Sequence, residues 1–145
     1  MKKAKAPKIL FVGVFDSSNR STNNSQIIAF NKIGCQVSGY NYRLKGVQMG
    51  NPARDTHLEQ TVRDGDFDLV VYSKCNVVSY KTFKYINSLT TTCLWFMDPL
   101  VSYDEELQTK TQLVDFACFD KENVLSVAQQ FNKNSFYVCE GFDSF

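Results

Sequence analysis

Apolar residues fall into six short runs, and between the runs they recur every three or four positions, the pattern of strands alternating with helices. The run Lys8-Ile-Leu-Phe-Val-Gly-Val-Phe15 predicts a first strand covered on both faces. Ile27, Ile28, Phe30 and Ile33 predict a helix over 25–33, stopped by Gly34 in the left-handed region. A second strand is expected over 35–43, followed by a long loop through Gly46, Gly50 and Pro52. Leu58 and Val62 share one face of a short helix that Gly65 closes, and 67–73 reads as the third strand. Phe83 and Ile86 mark a helix over 80–89, and the apolar run 92–97 gives a fourth strand ended by Asp98-Pro99. Residues 104–113 are weakly helical and 115–119 form a fifth strand. Asp120 is read as the cap of a helix whose stripe is Val124, Val127, Ala128 and Phe131, and 135–139 is the sixth strand.

Strands and helices in strict alternation demand a parallel sheet, because right-handed crossovers are the economical way to join them. The expected fold class is therefore α/β: a Rossmann-like doubly wound sheet of about six strands in one three-layer α/β/α domain over 8–145. A basic tail, 1–7, precedes it. With strand order 3-2-1-4-5-6 the topological switch would lie between the first and fourth strands, so the loops 13–24 and 98–104 would frame the ligand crevice.

Composition narrows the partners. Sixteen Lys and Arg balance fifteen Asp and Glu in 145 residues, a net charge of +1, so no broad field argues for nucleic acid or an acidic membrane. No apolar run approaches the roughly 20 residues that span a bilayer, and the start of the chain lacks a signal-peptide pattern, so a cytoplasmic location is expected. The five cysteines are far apart in sequence with no C-x-x-C pair, which argues for reduced core residues and against a disulfide framework or zinc. His57 is the one histidine, and it reads as a surface or capping residue, without the second imidazole that a multi-histidine metal site would need.

Motif chemistry excludes several enzyme classes. The first turn, Gly13-Val-Phe-Asp-Ser-Ser18, lacks the G-x-G-x-x-G that a dinucleotide pyrophosphate needs, and neither a P-loop nor a G-x-S-x-G elbow is present. A phospho-accepting receiver domain is disfavoured too, because the third strand ends Tyr72-Ser-Lys-Cys-Asn76 without a carboxylate. What the first loop offers is a mixture of donors and acceptors suited to sugar hydroxyls: Asp16, Ser17, Ser18, Asn19 and Arg20, continuing through Asn24. Across the expected crevice stands Asp98, held by Pro99 at the end of an apolar strand and placed to act as a base, with Tyr103 close behind it. Asp104, Glu105 and Glu106 read as a helix start, and no metal is assigned.

Several of these segments together resemble a family. Lys8-Ile-Leu-Phe-Val-Gly13, the helix opening at Ser25-Gln26 and ending Ile33-Gly34-Cys35-Gln-Val37, and Tyr42-Arg43 are similar to the N-terminal domain of GT-B glycosyltransferases, most of all the spore-maturation-type and group 1 branches. Leu94-Trp-Phe-Met-Asp-Pro99 resembles that family's hydrophobic strand ending in Asp, and Val138-Cys-Glu-Gly-Phe-Asp143 the handover to a second domain. The resemblance implies acceptor contacts from this half and nucleotide-sugar contacts from a C-terminal half, with the nucleotide sugar as co-substrate and no other cofactor. Many group 1 relatives carry a His-Asp pair where this chain has Met97-Asp98, so only the aspartate carries over, and the single Gly13 departs from members with several glycines there. Since a two-domain transferase needs roughly 300 residues at about 150 per domain, the chain is expected to be inactive alone. Its partners would be a sugar or glycan acceptor and a C-terminal domain or partner subunit. The alternative is a non-catalytic interaction module presenting Tyr40, Tyr42, Tyr80 and Tyr85 to another protein. The transferase reading requires the tips after Phe15 and Met97 to share one open hollow.

Overall fold

A computed structural model describes residues 4–18 and 21–139. Six strands, β1 (Lys8–Gly13), β2 (Gln36–Asn41), β3 (Leu69–Ser73), β4 (Thr91–Phe96), β5 (Phe116–Phe119) and β6 (Ser135–Tyr137), form one parallel sheet. Six helices connect them: α1 (Thr22–Lys32), α2 (Tyr42–Met49), α3 (Asn51–Gly65), α4 (Tyr80–Leu89), α5 (Glu105–Leu113) and α6 (Glu122–Ala128). The chain is thus a Rossmann-like α/β domain, and among the described residues no helix is long and apolar enough to cross a membrane.

The strand order is β2-β1-β3-β4-β5-β6, not 3-2-1-4-5-6. The reason lies in β2. Its residues Gln36, Ser38 and Gly39 are exposed and too polar for an interior position, so β2 takes the edge, whereas the continuously apolar β3 is buried and pairs directly with β1. The chain reverses direction after β2, and right-handed crossovers then put α1 on one face and α3 to α6 on the other. Leu10, Val12, Val70, Tyr72, Leu94, Phe96 and Phe119 pack under Leu58, Phe83, Ile86, Leu107 and Val124 on the crowded face. On the opposite face Ile9, Phe11 and Val71 meet Ile27 and Phe30 of α1.

Local capping explains most helix starts. Ser21, Asn41, Ser79 and Asp104 each accept a hydrogen bond from a backbone N–H of the following first turn. The expected loop around Gly46 and Pro52 is instead the α2–α3 pair. Pro52 sits in the first turn of α3, where its missing N–H costs nothing, and Gly46 lets Arg54 approach closely, since a Cβ there would lie 3.0 Å from Arg54 Nη1. α3 therefore runs fifteen residues, and the left-handed turn after it falls on Asp66 (φ 51°) rather than on Gly65. Asp120 does not cap α6; both of its carboxylate oxygens take the Lys121 ammonium, and Phe131 lies beyond the helix, more than a third exposed. Of the cysteines only Cys75 is buried; Cys35, Cys93 and Cys118 are partly exposed and Cys139 is exposed.

The core is rich in buried phenols. Burial pushes Tyr40 up to about 12 and raises Tyr42, Tyr72 and Tyr103 as well. In the unfolded chain these groups ionise near 10, so between about pH 10 and pH 12 the unfolded state binds fewer protons than the folded one. Stability is therefore complete below about pH 10 and falls as pH rises through the folded values. Urea midpoints at about pH 8 and about pH 11 check this: the second should be clearly lower, and equal midpoints would contradict it.

Candidate functional site

In an open α/β sheet the crevice forms at the carboxyl ends of the strands where the order reverses, here between β1 and β3. The tip of β1 is tied down by Asn23 in the first turn of α1. Its Oδ1 accepts the Val14 N–H at 2.9 Å, and its Nδ2 donates to Ser73 Oγ at 2.8 Å and to Gln26 Oε1 at 2.9 Å. Gly13 makes this approach possible, because a Cβ there would stand 2.5 Å from Asn23 Oδ1. Gln26 in turn donates to Met97 Sδ at 3.7 Å. The ends of β1, β3 and β4 are thereby connected across the sheet.

The tip of β3 is strained and clamped. Lys74 and Cys75 are consecutive non-glycine residues at φ 62° and 54°, each costing about 1–3 kcal/mol unless the surroundings hold it. Two cations with no solvent exposure do the holding. Arg54 donates to Val77 O (2.7 Å) and Tyr42 O (3.0 Å), and Lys110 to Cys75 O (3.1 Å) and Asn76 O (2.9 Å). Each cation has its anion, Asp55 at 2.7 Å for Arg54 and Glu106 at 2.9 Å for Lys110, and Asp55 also accepts the Ser79 N–H. Lys110 lies over the Phe83 ring as well. The clamp directs Lys74 toward β4, where its ammonium pairs with Asp98 Oδ2.

Asp98 therefore stands at the carboxyl end of the sheet, with 40% of its side chain exposed and one carboxylate oxygen engaged by Lys74. Asp16, Ser17 and Ser18 are exposed at the tip of β1, and Ser18 Oγ donates to Asp16 Oδ1 at 2.9 Å. Asn19 and Arg20 lie outside the described residues. Tyr103 departs from the expected surface position. A 3-10 turn, Leu100–Ser102, carries it into the core, where it is 3% exposed, packs on Phe96 and Phe119, and shares a hydrogen bond with Thr111. Tyr40 and Tyr42, the first two tyrosines of the interaction-module reading, are buried too, so of that set Tyr80 is exposed and Tyr85 partly so. His57 is exposed on α3, with Nδ1 2.9 Å from the Tyr40 hydroxyl. Among the described residues no three His, Cys, Asp or Glu side chains gather as a metal cluster would.

No protein-family model and no curated protein matches the chain. An open cleft of about 640 Å³ does occur, but at the amino ends of β4 and β5, between Asn87, Asp115, Phe116, Phe131 and Asn132. Two of its polar side chains are already engaged in holding backbone: Asn132 donates to Thr111 O and Val114 O, and Asp115 accepts the Thr92 N–H. The carboxyl end, where open α/β sheets bind their ligands, is the better candidate.

Sequence reasoning placed Asn23 in the polar loop at the mouth of β1 but passed over Lys74, Gln26 and Ser73 as parts of the site. Ser73 and Lys74 carried a usable signal, since the first polar residues after a buried parallel strand stand at the crevice mouth.

Proposed function

We propose that this chain is the acceptor-binding half of a glycosyltransferase, moving a sugar from a nucleotide sugar to an acceptor hydroxyl. The observation that supports this reading best is the Lys74–Asp98 pair at the carboxyl end of the sheet, in which one aspartate oxygen is engaged and the side chain stays partly open to solvent. A carboxylate held in this way can take the proton from an acceptor hydroxyl as that oxygen becomes a nucleophile. Asp16, Ser17 and Ser18 are hydroxyl and carboxylate partners for the acceptor's remaining hydroxyls, and the Asn23 bridge keeps the tip of β1 in register with β3. The nucleotide sugar is bound by a second domain or chain. The first turn of the sheet supports that division, because it has one glycine and no pyrophosphate-binding motif.

The division of labour can be tested on the chain itself by following backbone amide shifts during titration. Oligosaccharide acceptors are expected to move the amides of 14–18 and 97–98, while common nucleotide sugars leave the spectrum nearly unchanged. Tight binding of a nucleotide sugar to this chain would overturn the assignment of the donor to another domain.

A further inference from the structure

The helices are distributed unevenly, and the uneven side carries chemistry that the proposed site does not use. On the α1 face, β4 to β6 present Cys93, Trp95, Phe116, Cys118 and Phe136, and among the described residues no helix packs over the outer part of this surface. Phe116 and Phe136 are 42% and 50% exposed, and their rings meet at 6.4 Å. Within this surface two thiols touch: Cys93 Sγ and Cys118 Sγ are 3.8 Å apart on neighbouring strands. Trp95 is the register partner of Cys118, and Cys93 lies two residues earlier on the same face of β4. Both cysteines are partly exposed and free.

We infer that Cys93 and Cys118 are a redox-active dithiol that closes to a disulfide when the protein meets a hydroperoxide. Three observations converge on the pair. The sulfurs are in contact, but Cys93 stands opposite Phe116 and Cys118 opposite Trp95, so the pair is diagonal across β4 and β5. Closure to the roughly 2.05 Å of a disulfide therefore needs side-chain rotation together with a local shift of one strand against the other. The surface is open enough for a small peroxide to enter. The two thiols are also electrostatically unequal: their shared hydrogen bond lowers Cys118 and raises Cys93, which burial raises further. Cys118 is thus the attacking sulfur and Cys93 the resolving one.

The chemistry balances without any other partner. The Cys118 thiolate attacks one oxygen of hydrogen peroxide, the O–O bond breaks, and hydroxide leaves and takes up the proton that Cys118 released. The product is a sulfenic acid on Cys118. Cys93 sulfur then attacks that sulfur, the S–O bond breaks, and water leaves with the Cys93 proton as the S–S bond forms. Two thiols are oxidised, one peroxide is reduced, and two waters result. A small dithiol reverses the reaction by exchange.

The test uses the whole chain. After brief treatment with dilute hydrogen peroxide and alkylation of the remaining thiols, free thiols should fall from five to three, and peptide mapping should find Cys93 joined to Cys118, reversibly with dithiothreitol. Because Trp95 is the single tryptophan and sits beside Cys118, its fluorescence should fall on oxidation and recover on reduction. Cys93→Ser should leave a Cys118 sulfenic acid that dimedone traps, and Cys118→Ser should leave Cys93 reduced, with circular dichroism confirming that both variants fold. A peroxide product that joins any other pair, or oxidation of Cys118 to sulfinic acid in the unaltered chain without linkage, would overturn the inference.

Discussion

Arg54→Ala is expected to lower the folding free energy by about 3–5 kcal/mol, the usual cost of removing one member of a buried, hydrogen-bonded ion pair. Arg54 has no solvent exposure, and truncation would leave the Asp55 carboxylate, only 14% exposed, without its cation and strip donors from Tyr42 O and Val77 O. The left-handed stretch at Lys74 and Cys75 would lose one of its two clamps at the same time. Domains of this size are stable by about 5–15 kcal/mol, so the variant should melt on the order of 10 °C lower. Pairing it with Asp55→Ser removes the stranded anion and should recover part of the loss. A single-variant cost below about 1 kcal/mol in urea denaturation would show that Arg54 does not carry the loop.

Asp98→Asn should reduce turnover of the proposed transferase by about 10²–10⁴-fold, the range for losing a general base, with acceptor KM little changed. The amide keeps the shape and the ability to hydrogen-bond but cannot take the acceptor's proton. Loss of folding is not expected to confuse the result. Lys74 and Asp98 are 32% and 40% exposed, and such pairs contribute about 0–1 kcal/mol. The measurement is therefore a kcat and KM comparison in the transferase assembled as proposed, with its donor-binding partner, together with a melting curve. An unchanged kcat would remove Asp98 as the base; a fall in kcat matched by a collapse of the melting temperature would assign it a structural role instead.

The elements were largely visible in the chain because buried parallel strands are nearly continuous apolar runs, and β1, β3 and β4 have that character. Their order was harder. Both candidate orders use the same strands and helices, and what separates them is the polarity of Gln36, Ser38 and Gly39, which places β2 at the edge. Gly46 and Pro52 were misleading for a related reason. Glycine and proline usually break helices, but here one admits the Arg54 side chain and the other occupies a first turn. In the candidate site, Asp98 and Asp16 to Ser18 could be placed at strand ends from pattern alone. Lys74 could not be matched to Asp98 until β3 was known to lie between β1 and β4. Tyr103 shows the limit of reasoning by proximity in sequence: a single 3-10 turn reverses which way the residue faces.

The central place of β1 also bears on how the chain is made. One neighbour, β2, follows within about thirty residues, but the other pairs Ile9 with Leu69, sixty residues later. At the ribosome's pace of about 5–20 residues per second, that leaves one side of the first strand bare for about 3–12 s. During that interval Phe11 and Val12 depend on chaperones or on the nascent α1–β2 segment for shelter, and the protein's yield in cells should be sensitive to how quickly the stretch from 42 to 73 is translated.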